Sequence, residues 1–323
     1  MNYFKKPFFF GAMFHHFYDL KKHKRSQGSI NKSQFYKIIK FIGKKNILDA
    51  DEFYNRYKEG KLKKNNVCIT FDDGLKCQVD IALPVLEDLR IKSFFFIYSS
   101  LLEKKPDLLE VHRYFRTYFF KSPEEFYNLF FDLVNEDLSD FFKKKKKNIS
   151  QIMKQSPFYS ISDIKFRLVR DYYLGKDKYN NLMKLMFKEK KFEPKLYFKK
   201  LFMSNNDIIN LNKLGHKIGL HSHSHPTAIE KLNFNEQFNE YSLNQKLLSK
   251  LLKLEKNEIK FMSHPCGKYN TSSLKILNKI GIELGFRADS ISKHNNKIKT
   301  INNSKFELAR IDHTIILKKM INK

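Results

Sequence analysis

No tryptophan occurs in the chain, and cysteine is limited to Cys68, Cys77 and Cys266. Aromatic packing therefore falls to the 32 phenylalanines, which implies a phenylalanine-packed interior. No Cys-x-x-Cys pair is present, and a low, odd count fits a reducing compartment. Cys68 lies in an apolar run and reads as buried core. Glycine and proline are scarce, at 11 and 8 of 323 residues, which excludes collagen-like and low-complexity classes. No stretch reaches the roughly 18 apolar residues that span a bilayer. The opening MNYFKKPFFFGAMFHHFYDL has basic and apolar parts, but His15 and His16 interrupt the apolar run and no small-residue cleavage site follows. It reads as a first buried strand, which points to a cytoplasmic protein, with the inner membrane surface as the other location considered.

Acidic side chains are also few. Sixty-two Lys and Arg face 34 Asp and Glu, a net charge of +28. Such a field attracts nucleic acid, anionic lipid surfaces and phosphorylated substrates alike. Lysine, asparagine, isoleucine and phenylalanine are used heavily along the whole chain, as AT-rich coding produces, so the charge alone names no partner. No specific nucleic acid is expected.

What is present is 41% apolar, enough for one large α/β domain or two small ones. Short apolar runs alternate with amphipathic stretches, the pattern of βα units. Strands are read at about 8–16, 67–71, 92–98, 217–220, 259–262, 282–286 and 306–311. Helices are read at 31–42, 81–89, 207–214, 234–253 and 272–280. Between about 101 and 202 helical spacing prevails. Ser122-Pro123-Glu124-Glu125 has the form of a helix start. The run Lys143 to Lys147 reads as a solvated loop or helix end, with a phosphate or lipid contact as the sharper alternative. The expected organisation is a discontinuous barrel, 1–100 and 203–323, with 101–202 as a helical insertion able to lid the site. Strand-helix alternation favours a parallel barrel, whose reactive residues sit where strands end.

Two motifs fall at such ends. Asp72 and Asp73 follow the strand VCITF, and Gly74 permits the turn that presents them. Adjacent buried carboxylates repel, and a divalent cation removes that cost while leaving one carboxylate free as a base. An ordinary Asp-Gly turn is the bland alternative. The second motif places His221, His223 and His225 within five residues of a chain that has eleven histidines. In extended backbone all three share a face; if the chain turns, His221 and His225 converge and His223 points elsewhere. Two imidazoles and one carboxylate leave coordination positions open for water and a substrate oxygen.

Thr70-Phe71-Asp72-Asp73-Gly74 and His221-Ser222-His223-Ser224-His225-Pro226 resemble the first two signatures of the polysaccharide deacetylases, the NodB-homology or carbohydrate esterase family four. Leu214 to Leu220 is similar to the family's approach to the histidine motif. The resemblance covers about 8–100 and 203–315 and implies a distorted (β/α) barrel. It implies that Asp73, His221 and His225 hold one divalent metal ion, often zinc, and that Asp72 is the catalytic base. Ser263-His264-Pro265-Cys266-Gly267 stands where many members carry an arginine-led motif, so the family's arginine is absent at Ser263. The backbone N–H of Cys266 is then the oxyanion donor, and Arg310 is the substitute for the missing arginine. For the general acid, His313, His264 and His16 are the candidates. The implied activity is removal of an N-acetyl group from a sugar in polysaccharide or glycolipid biosynthesis. The substrate would be an acetylated sugar carrying phosphate or lipid, met at a membrane surface. O-acetyl ester or cyclic-amide hydrolysis on the same scaffold, and a non-catalytic basic glycan- or nucleic-acid-binding protein, are the alternatives.

Overall fold

Among the described residues the apolar runs form seven strands: β1 Phe10–Phe14, β2 Val67–Phe71, β3 Phe94–Ile97, β4 Lys217–Leu220, β5 Phe261–Ser263, β6 Leu284–Phe286 and β7 Arg310–Asp312. The computed structural model describes residues 10–155, 160–288 and 304–321. All pairings are parallel, in the order β6-β5-β4-β3-β2-β1-β7. Phe286 at the end of β6 also bridges Leu308, two residues before β7, so the sheet nearly closes into a distorted barrel. Strands buried on both faces read as continuous apolar runs, which is why β2 and β3 are visible in the sequence.

Side-chain alternation divides the phenylalanines between two layers. Phe94 and Phe96 share one face of β3, and Phe94 meets Phe261 at 5.1 Å and Phe286 at 5.4 Å. Cys68, Leu284 and Leu308 join them, as do Phe53 and Tyr54 of the helix Ala50–Lys58. That helix lies by the strand N-termini: the Leu48 N–H donates to the Val67 carbonyl and the Ala50 N–H to that of Lys92. On the opposite face Phe71 stacks on Phe95 at 4.6 Å, with Phe14, Phe17 and Phe35 around Phe71.

Among the described strands, β7 carries a charged side chain into the interior. Arg310 of β7 is fully buried. A Cβ on Gly11, its partner on β1, would lie 3.0 Å from Arg310 Cγ and 3.2 Å from Thr70 Cγ2, so glycine there leaves room for the arginine stem.

Several elements differ from the sequence reading. Of the strand read at 8–16, residues 8 and 9 lie outside the described residues, and the strand ends at Phe14. The last strand is Arg310–Asp312 rather than 306–311, and the helix His313–Ile321 follows it directly. The helix at 81–89 starts earlier, with a π-turn at Gln78–Ala82. The helix Ala50–Lys58 has little apolar signature, because Ala50, Phe53 and Tyr54 are its only buried residues. The five lysines, 143–147, lie inside the helix Ser139–Gln155, not in a loop or at its end. Lysine is a good helix former, Lys143 pairs with Asp140, and Lys145 sits 4.6 Å over the Tyr172 ring.

The chain divides into two compact units, 1–107 with 198–323, and 108–197. The second is helical, with Phe115, Phe126, Phe130 and Phe166 buried in its core. Its buried Asp163 accepts from Tyr127 Oη at 2.6 Å and Arg167 Nε at 2.8 Å. Among the described residues no helix is long and apolar enough to cross a membrane.

Three buried histidines make the fold acid-sensitive. Burial pushes His216 down to about 4, helped by Lys92 and opposed by Glu87, and pushes His112 and His264 down to about 3. Each is neutral when folded and regains its ordinary value of 6.5 when unfolded. Below that value the unfolded chain binds more protons, so stability present above pH 6.5 is lost as the pH falls toward about 4. Urea midpoints measured from pH 7 down to 4 should decline, and His216→Gln should decline less steeply. A flat wild-type profile would contradict this assignment.

Candidate active site

Asp72 and Asp73 follow β2, His221 follows β4, His15 follows β1, and Ser263 closes β5. All five thus meet at the C-terminal rim of the sheet. The loops that carry them are conformationally demanding. Asp73, Ser222, His225 and Cys266 have φ of 74°, 64°, 54° and 51°, in the left-handed region that non-glycine residues rarely occupy. Gly74 has φ 62°, where any other side chain is strained, and a Cβ there would also lie 2.9 Å from Leu101 Cδ1 and oblige that side chain to shift.

Asp73, His221 and His225 each offer a ligand atom, and those atoms lie within 4.8 Å of one another. Nε2 of His221 is 3.3 Å and Nε2 of His225 3.4 Å from the same oxygen, Oδ1 of Asp73. The far side of each ring is engaged: His221 Nδ1 with the Ser263 carbonyl at 2.9 Å, His225 Nδ1 with Asp107 Oδ2 at 3.0 Å. With those nitrogens as donors, both Nε2 atoms turn lone pairs inward. Two imidazole lone pairs and one carboxylate form a nitrogen-and-oxygen donor set suited to zinc or a similar divalent ion. Burial alone would raise the Asp73 carboxyl, but when the imidazoles are protonated the hydrogen bond from His221 and the charges of His225, His15 and His221 hold it far below the usual range, a role that a cation takes over when the rings are neutral. The three residues fit a cation.

Asp72 is held differently. Arg310 grips it with two bonds, Nη1 to Oδ1 at 2.6 Å and Nη2 to Oδ2 at 2.7 Å. Ser263 Oγ donates to Oδ2 at 3.2 Å, and Arg310 Nε is tied to the Arg287 carbonyl at 2.8 Å. Burial pushes the Asp72 carboxyl up, yet the Arg310 charge, with smaller help from His221 and His15, leaves it below the ordinary value.

Other polar groups fix the loops. Gln78 Nε2 donates to the carbonyls of Asp72 at 2.6 Å and His15 at 3.0 Å. Asn244 accepts the His221 N–H at 2.8 Å and donates to the Ile97 carbonyl at 3.0 Å. Glu240 accepts the backbone N–H groups of His223 and Ser224 at 2.9 and 2.8 Å. His223 turns away, its Nδ1 3.0 Å from Ser99 Oγ.

Two histidines considered for proton transfer lie elsewhere. His313 is buried, with its ring nitrogens 3.3 Å from the Met13 carbonyl and 2.7 Å from that of Gly28. His264 bonds the Phe306 carbonyl at 2.9 Å and stacks on Tyr269. His16, the third, contributes its carbonyl to the Ile30 N–H. His15 reaches the carboxylates instead, with Nε2 3.8 Å from Asp72 Oδ2 and 4.0 Å from Asp73 Oδ2, its side chain 27% exposed. The sequence carries a signal for it: like Asp72 and His221, it follows the last residue of a strand. Asp107, Gln78, Asn244 and Glu240 have no comparable mark. Cys266 lies in the short turn 265–267 that follows β5.

The profile described as polysaccharide deacetylase matches residues 59–115 and 179–285, half of the chain. The chain belongs to the polysaccharide deacetylase family. Membership makes a hydrolase the supported class, and the family is in general metal-dependent. The fold agrees with solved polysaccharide deacetylase structures. Streptococcus pyogenes deacetylase PplD in complex with acetate has 13% identity and a TM-score of 0.53, over 97% of this chain and 99% of its own. IcaB from Ammonifex degensii has 13% identity and 0.52, over 94% and 91%. The de-N-acetylase from Aggregatibacter actinomycetemcomitans has 12% identity and 0.54, over 97% and 98%. At these identities the likeness is one of fold. No curated protein sequence matches the chain.

The arginine clamp gives a direct test. Removing one partner of a buried pair strands a charge and costs about 3–5 kcal/mol. Arg310→Ala should lose that much unfolding free energy in urea at pH 7. A loss under about 1 kcal/mol would show that Asp72 does not depend on the clamp.

Proposed function

We propose that the chain is a divalent-metal-dependent hydrolase that removes an N-acetyl group from a sugar. The observation that carries this reading is the asymmetry between adjacent carboxylates: Asp73 faces two imidazole Nε2 atoms, while Asp72 faces an arginine. Asp73, His221 and His225 would hold the ion, with zinc the metal the donor set favours. A divalent cation supplies Lewis-acid polarisation of the acyl carbonyl and acidifies water.

The remaining work falls to the protein. Asp72, kept ionised by Arg310, accepts the proton of the attacking water at a carboxylate oxygen. Arg310 and Ser263 hold that carboxylate in one orientation. The backbone N–H of Cys266 would donate to the oxygen of the acyl group as charge gathers there. His15, close to both carboxylates and partly open to solvent, would give its proton to the departing amine. Water adds to the acyl carbon, the C–N bond breaks, and acetate and a free amine leave. The substrate proposed is a sugar that carries phosphate, lipid-linked or nucleotide-linked, one of the several anions that a net charge of +28 would attract.

Acetate release from N-acetylated sugar phosphates tests the activity. Metal removal by a chelator should abolish release, and zinc or cobalt should restore it. Asp72→Asn should keep the metal and lower turnover by about 10²–10⁴-fold, whereas His221→Ala should lose both. Equal metal loss in the two variants would refute the division of roles. Separately, His15→Gln should reduce kcat with KM little changed; an unaltered kcat would move the proton donor elsewhere. Faster release from O-acetyl sugars than from N-acetyl ones would favour an esterase.

A further inference from the structure

We infer that Asp107 is the positioning residue for the metal centre, setting the tautomer and donor strength of His225. The inference rests on the reading of Asp73, His221 and His225 as the metal site, and it goes beyond those three residues. The two imidazoles have unequal supports. His221 Nδ1 meets a neutral carbonyl, that of Ser263, whereas His225 Nδ1 meets a carboxylate, Asp107 Oδ2 at 3.0 Å. Both rings are at least nine-tenths buried and aim Nε2 at one oxygen of Asp73. A carboxylate behind an imidazole keeps the proton on Nδ1, fixes the ring plane and makes Nε2 a stronger donor to a cation.

The placement of Asp107 is itself supported. Its backbone N–H donates to Tyr98 Oη at 3.2 Å, and the Tyr98 ring lies 5.3 Å from that of His225. Tyr98 is fully buried next to β3. One tyrosine thus contacts the imidazole with its ring and receives the carboxylate-bearing segment with its hydroxyl. Asp107 and His225 are 118 residues apart in sequence, so nothing local forces the contact. His225 has φ 54°, in the left-handed region that few non-glycine residues occupy, histidine being among those that do. A side chain that holds its ring from behind is consistent with that conformation.

The test uses the full chain stripped of metal. Zinc affinity is measured by competition with a chromophoric chelator, and the site is examined by the visible spectrum of added cobalt. Asp107→Asn preserves size and an acceptor oxygen but removes the charge, and its amide can also select the wrong tautomer. It should bind zinc about 10–100-fold more weakly than wild type, with an altered cobalt spectrum and an unchanged melting temperature of the metal-free chain. Asp107→Glu should recover part of the affinity. Wild-type affinity in Asp107→Asn overturns the inference while leaving the metal site intact. A fall in metal-free melting temperature that accounts for the lost affinity, with no recovery in Asp107→Glu, overturns it in favour of a purely structural role. If the wild-type chain takes up neither zinc nor cobalt, the metal reading fails first and this inference with it.

Discussion

The buried ion pair between Arg310 and Asp72 is the constraint around which the site is arranged. Taking an arginine out of water is costly unless its hydrogen bonds are satisfied. Here the guanidinium is engaged by Asp72, Ser263 and the Arg287 carbonyl. The same bonds stop Asp72 from turning toward the imidazoles. Asp72 Oδ2 stays 3.9 Å from His221 Nε2, whereas Asp73 Oδ1 comes within 3.3 and 3.4 Å of both imidazoles. Two carboxylates adjacent in sequence become chemically different because an arginine from the last strand reaches only one of them.

The fold makes that reach possible through small details. Gly11 on β1 clears the arginine stem, and Thr70 on β2 donates to the Ala12 carbonyl beside it. Phe96, which belongs to the apolar cluster of Phe94, Phe261 and Phe286, has its ring centroid 5.8 Å from the guanidinium carbon. A dry surround strengthens the pairing, since charges attract more in low dielectric. It also raises the cost of any change that leaves either partner alone.

Much of this is legible in the sequence, for physical reasons. Strands β2 and β4 are apolar, are flanked by turn residues, and end on the residue before Asp72 and before His221. The convergence of those residues follows from the parallel topology, which brings strand C-termini to one rim. The absence of an arginine at Ser263 directs attention to Arg310. Illegible parts are those with no local pattern. Asp107 comes from a stretch without a motif, and its importance lies in a contact across 118 residues. His15 looks like an interruption of an apolar run until the end of β1 is placed at Phe14. The lysine run reads as a loop only when charge is given more weight than helix propensity.

Gln78 has a consequence for how the rim responds to change. Its single amide nitrogen joins the chain just beyond β1 to the chain just beyond β2. The backbone under His15 and the backbone under Asp72 are therefore moored to one side chain, set when the chain folds. A disturbance that shifts either loop is passed to the other through that amide.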